Sequence, residues 1–107
     1  MSRRLAPITL TGGNLRNDHF YLTDVMDLFP SDAVGGPNEA TQAQRSLEIH
    51  CGIGDPVHTD IAGDKKIFRK RAWVAEFFEV HEMREGDVIV VERTGPSRYH
   101  IYPRRSA

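Results

Sequence analysis

The sequence predicts a mainly β fold, a seven-stranded open barrel with two short helices as its minor α component, and three observations lead there. Short runs of β-branched and aromatic residues recur along nearly the whole chain. Clusters of Gly, Pro, Asn and Asp separate them, and only two stretches switch to a period near 3.6. A series of short strands leaves edges with unpaired backbone groups, and closure into a barrel removes those edges. The length of 107 residues suits one domain over 1–107 rather than two cores. A hydrophobic content of 39%, with five Phe, three Tyr and one Trp, is enough for a modest core and too much for a disordered tail.

Pro7-Ile8-Thr9-Leu10 alternates and is β-branched, which makes it the first expected strand. Thr11 to Asp18 is rich in turn formers and self-bonding side chains and reads as a loop arm. His19-Phe20-Tyr21-Leu22 is the second strand. Thr23 then stands at a helix N-cap, and Val25, Met26, Leu28 and Phe29 have helical spacing, so a short helix spans Asp24–Phe29 before Pro30 stops it. Ser31 to Gln44, with its Gly, Pro and small polar residues, is a loop.

Leu47–Cys51 and Val57–Ile61 alternate as the third and fourth strands, Ala62-Gly63-Asp64-Lys65 is a tight hairpin connection, and Lys66–Arg71 is the fifth strand, with a basic outer surface. Trp73, Phe77, Phe78 and Val80 form the apolar stripe of a second helix, with Glu76 and Glu79 on its other side. Gly86-Asp87 turns the chain into Val88–Val91, an apolar strand buried on both faces. Thr94–Ser97 turns it again into Tyr99–Tyr102. Trp73, Phe77, Val88, Val90 and Ile101 are expected to pack together.

Fourteen basic and fifteen acidic residues leave a formal charge of −1, which argues against a purely electrostatic, histone-like nucleic-acid binder. The distribution is uneven. Residues 65–71 hold five basic side chains and no acid, whereas Glu76, Glu79, Glu82 and Glu85 follow close behind. Arg98, Arg104 and Arg105 add charge near the end, and Arg3, Arg4 and Arg16 near the start. No apolar run approaches the ~18 residues of a membrane span, and Met1-Ser2-Arg3-Arg4-Leu5 is not followed by the apolar stretch of a secretory signal. The single cysteine, Cys51, forms no intrachain disulfide and reads as a small buried strand residue. A cytoplasmic or nucleoid-associated location and no membrane partner are the expectation.

No phosphate-binding glycine loop, nucleophile elbow or spaced zinc-ligand pair is present. The strongest catalytic candidate is a metal-dependent nuclease: Asp64-Lys65-Lys66 has the acid-x-Lys form, with Asp55 or Asp60 upstream as a second carboxylate. That pattern is short and falls on a hairpin turn, which does not hold carboxylates rigidly. The expectation is therefore no catalytic residue, no metal and no cofactor.

Three motifs carry a resemblance. Arg71-Ala72-Trp73-Val74-Ala75-Glu76-Phe77-Phe78 with Glu85-Gly86-Asp87-Val88-Ile89-Val90-Val91-Glu92-Arg93 is the first, Gly13–Leu22 the second, and Asp27-Leu28-Phe29-Pro30 the third. In their order they resemble the B-three type DNA-binding pseudobarrel of plant transcription factors and the related DNA-recognition domains of bacterial restriction endonucleases. Val57–Ile61 departs from the aromatic, Arg-rich fourth strand of the plant domains. The resemblance implies double-stranded DNA binding, selective for a sequence or a modified base, with two loop arms in the major groove. It implies Asn14, Arg16, Asn17 and His19 for the first arm, and Thr59, Asp64, Lys65 and Lys66 for the second, with Arg69 and Arg71 nearby. The residue types suit such contacts, since Arg reads guanine and Asn reads adenine, while Lys anchors phosphate. The alternative is a protein–protein interaction module on the same barrel, using the acidic helix face; a partner domain or a homodimer would fit either reading.

Overall fold

A computed structural model describes residues 3–104; Arg105, one of the basic residues near the end, lies outside them. Two open sheets and two α-helices enclose a single core in a molecule measuring 38 × 32 × 26 Å. The larger sheet has the order β1-β7-β8-β3-β4 and the smaller β2-β5-β6. The strands are β1 Leu5–Thr9, β2 Val34–Gly35, β3 Leu47–His50, β4 Val57–Thr59, β5 Ile61–Ala62, β6 Ile67–Phe68, β7 Val88–Gly95 and β8 Arg98–Pro103. The helices are α1 Gly12–Asn17 and α2 Ala72–Val80.

The expectation of a mainly β chain with few, short helices holds. The strand count differs, with eight strands in two sheets among the described residues. The Val57–Ile61 run divides at Asp60, which passes the chain from β4 in one sheet to β5 in the other. The expected strand Lys66–Arg71 shrinks to Ile67–Phe68, because Lys66 sits in the left-handed region (φ 57°) and closes the turn. His19–Leu22 is not a strand. It alternates correctly, with Phe20 and Leu22 buried, but its backbone makes isolated bonds (Leu22 N–H to Lys66 O, 2.7 Å) instead of a ladder. The loop 31–44 contains two 3-10 turns and β2, which pairs in parallel with β5.

The first expected helix is a 3-10 segment, Thr23–Leu28, with Leu22 rather than Thr23 at the cap position and no side-chain cap. The Thr11–Asp18 arm is instead the helix α1. Thr11 Oγ1 accepts the Asn14 N–H (3.1 Å) while Asn14 Oδ1 accepts the Thr11 N–H (2.9 Å), a reciprocal capping box. Asp18 in the left-handed region ends the helix.

β7 and β8 form the central hairpin, β1 pairs antiparallel with β7, and β3 lies parallel to β8. Ile89 and Val91 of β7 point into the core with Trp73, Phe77 and Ile101. Val90, though buried, faces the other side of the sheet, and Val88 is only half-buried, so the expected cluster loses these two. Period-2 alternation explains this: successive residues cannot share a face. Tyr99, fully buried, donates its hydroxyl to Leu28 O at 2.6 Å and ties the 3-10 segment to the sheet. Trp73 packs edge-on against Phe20 and Phe77, and its Nε1–H donates to Lys70 O at 2.8 Å, fixing where the basic segment enters α2. Cys51 is buried, as expected, but lies one residue past the end of β3 rather than within the strand.

Candidate nucleic-acid interface

The basic segment is built on the β5–β6 hairpin. Lys66 N–H donates to Ala62 O (2.8 Å) and closes the turn Gly63–Lys66, leaving Asp64 and Lys65 exposed at its tip. Gly63 N–H donates to Gly35 O, and a Cβ on Gly63 would stand 2.6 Å from that oxygen, so the close approach of the hairpin to β2 requires glycine.

Beyond β6 the side chains part ways. Arg69 turns inward: its Nε and Nη2 donate to Asp60 Oδ1 (2.6 Å) and Oδ2 (2.9 Å), and Nη2 also donates to Gly36 O (2.9 Å). Asp60 Oδ2 accepts the Ala43 N–H as well, at 2.7 Å. The pair is largely shielded, with side chains 13% and 7% exposed. Burial pushes the Asp60 carboxyl up, but the Arg69 hydrogen bonds, the Ala43 N–H and the guanidinium charge together outweigh it and hold Asp60 below the ordinary carboxylate range. Thr59 is buried too; its hydroxyl accepts the Lys70 N–H (3.0 Å) and donates to Asp60 O (2.9 Å). Thr59, Asp60 and Arg69 thus position the hairpin, and their polar atoms are already engaged.

Lys65, Lys66, Lys70 and Arg71 differ: among the described residues, none of these four has a carboxylate within ion-pairing distance, and Arg69 alone of the five cations in 65–71 does. Lys65, Arg69 and Arg71 line one side of a shallow cleft of about 220 Å³, with Asp64 and Pro37 also on its wall. Arg71 Nη1 donates to His19 Nδ1 (3.3 Å), which requires that nitrogen to be unprotonated. Burial lowers the His19 pKa, and the charges of Arg71 and Lys65 lower it further against the opposing pull of Asp18. His19 in turn packs against the exposed ring of Tyr21, centroids 4.9 Å apart.

His19, Lys65 and Arg71 therefore come together. The rest of the expected first arm does not present itself in the same way. Asn14 is buried and its amide oxygen is held by the capping box. Asn17 is exposed, its Nδ2 donating to Gly13 O. Arg16 is exposed and folds back along α1: a Cβ on Gly12 would lie 3.0 Å from its Nη1 and 2.9 Å from Glu85 Oε1. Tyr21 lies against His19 at the edge of this group although it is not among the arm residues that the resemblance implies, and Lys70, likewise absent from those residues, lines a different cleft with Arg45, His58 and Asp60; the alternation of 19–22 does place an outward aromatic beside His19. Asp60, one of the two upstream carboxylates open to the nuclease alternative beside Asp55, is engaged by Arg69 and Ala43, and among the described residues no three His, Cys, Asp or Glu side chains form a group able to hold a metal ion. No described helix is long and apolar enough to cross a membrane. Comparison with known proteins finds no matching family model, no matching curated protein and no matching solved structure.

Proposed function

We propose that the protein binds double-stranded DNA, without catalysis, along the surface formed by the β5–β6 hairpin and the segment leading into α2. One observation carries the reading: Lys65 and Arg71 line one cleft, and they and the neighbouring Lys66 and Lys70 have no carboxylate partners among the described residues, while the buried acid of this region, Asp60, is neutralised by Arg69. A phosphate backbone supplies the missing anions, and the released counterions drive association. Lys65 and Lys66 anchor phosphates. Arg16 and Asn17, at the exposed end of α1 a few residues before His19, are the side chains of suitable type to read base edges once Arg16 extends away from α1. The two sheets then serve in place of the pseudobarrel that the B-three resemblance implies, as a regulator or the recognition module of a restriction system.

Gel-shift titration of mixed duplexes at several salt concentrations tests this. Each phosphate contact contributes about 0.9 to the slope of log K against log salt, so Lys65→Ala with Lys66→Ala should lower the slope by about 2 and weaken all duplexes alike. Arg16→Ala should cost about 1–3 kcal/mol on a selected site and little on random DNA. A parent that binds no duplex overturns the proposal. The exposed α2 face of Glu76, Glu79 and Val80 (56% exposed) then makes a protein partner the better reading.

A further inference from the structure

Surface aromatics scattered singly need no explanation; the position of Tyr21 does. Its ring, half exposed, touches His19 on one side, and His19 is bonded to Arg71 and lies in the field of Lys65. The segment is fixed to the basic hairpin through the Leu22 N–H to Lys66 O bond at 2.7 Å, which holds the Tyr21 backbone beside those cations. The same ring also lines a cleft of about 420 Å³ between β1, α1 and the 3-10 segment, walled by Pro7, Thr9, Thr11, Asp24 and Val25. Tyr21 is thus the step between a cationic rim and a partly apolar recess.

The charge pattern separates what belongs on each side. The rim has cations for phosphates. Apart from Tyr21 itself, the only ionisable group lining the cleft among the described residues is Asp24, so an anionic backbone finds no partner there, whereas a neutral planar ring finds an aromatic face and hydroxyls. Resting on the DNA-binding reading above, we propose that the Tyr21 cleft is a nucleobase subsite: a base left unpaired beside the bound backbone stacks on Tyr21, and the protein favours DNA containing such a base over fully paired duplex. Base–aromatic stacking is tolerant of sequence because every base has a π-face, and it adds to the backbone contacts made by the rim.

The experiment compares binding of a matched duplex with the same duplex carrying one bulged or mismatched base, using 2-aminopurine at that position as a fluorescent reporter of stacking. The parent should bind the bulged duplex about 5- to 150-fold more tightly, the factor equivalent to the about 1–3 kcal/mol of one base–aromatic stack, and should quench the reporter. Tyr21→Phe should keep both effects. Tyr21→Ala should lose both the preference and the quenching, so that its affinities for the bulged and the matched duplex become equal; circular dichroism verifies that it is folded. A parent that binds matched duplex but shows no preference, or a Tyr21→Ala protein that keeps the preference, overturns the subsite and leaves the hairpin reading intact. A parent that binds neither DNA overturns both.

Discussion

Replacing Asp60 with Ala should be among the most damaging single changes outside the apolar core. The carboxylate accepts three hydrogen bonds, two from Arg69 at 2.6 and 2.9 Å and one from the Ala43 N–H at 2.7 Å, and the side chain is 7% exposed. Without it Arg69 keeps only Gly36 O as a partner, and a guanidinium charge is left shielded from water with no counter-ion. Removing one member of a buried ion pair costs about 3–5 kcal/mol, because the remaining charge is uncompensated. Domains of this size lose about 4–8 °C of Tm per kcal/mol, so thermal unfolding followed by circular dichroism should show a drop of more than about 10 °C. Asp60→Asn keeps one acceptor and should lie between the two. The double change Asp60→Asn with Arg69→Met should recover part of the loss, since the stranded charge is then gone. The pair also sets a pH dependence. Asp60 titrates below its unfolded value, so its contribution is full above the ordinary carboxylate pKa of about 3.9 and is lost as the pH falls through the lower folded value. An Asp60→Ala protein that unfolds within about 1 kcal/mol of the parent would show that this pair does not hold the hairpin against the 35–43 segment.

Tyr99→Phe removes the hydroxyl that donates to Leu28 O and leaves that carbonyl buried without its donor. The expected loss is about 1–3 kcal/mol in urea unfolding at unchanged m-value, and a neutral result would argue that water replaces the hydroxyl. DNA affinity should rise as the pH falls below about 6.5, the ordinary histidine value. His19 is held neutral by burial and by the cations Arg71 and Lys65, and a bound phosphate would favour its protonated form. Titrations from pH 8 to pH 5 should show that His19→Gln flattens this dependence; an unchanged profile would assign it to another histidine.

Much of the layout can be read along the chain. The apolar alternation of Leu47–Ile49, the Trp73–Phe78 stripe and the Val88–Val91 run correspond to β3, α2 and β7, because inward-facing positions of strands and helices repeat at fixed local periods. The Gly86-Asp87 turn is also local: Gly86 takes φ 91° and Asp87 Oδ2 accepts the Arg84 N–H. At α1 the local signal misleads. Gly12 and Gly13 favour a loop, and the Thr11–Asn14 box that closes the helix uses Asn where Glu or Gln is the usual signal.

Residue order alone thus establishes a strand-rich chain, part of its core around Trp73, Phe77 and Ile101, and a concentration of positive charge at residues 65–71. Which of those charges are available is settled only by the packing of distant segments. Arg69 and Arg71 are equivalent as letters two positions apart, yet Arg69 is committed to Asp60 and Gly36 while Arg71 reaches only the uncharged His19. The same holds for His19–Leu22, whose alternation is that of a strand but which has no neighbouring strand to pair with, and for β3, whose parallel partner β8 lies about fifty residues away. Periodicity records which way a side chain points. The identity of the group it meets depends on contacts between distant segments, which no local pattern encodes.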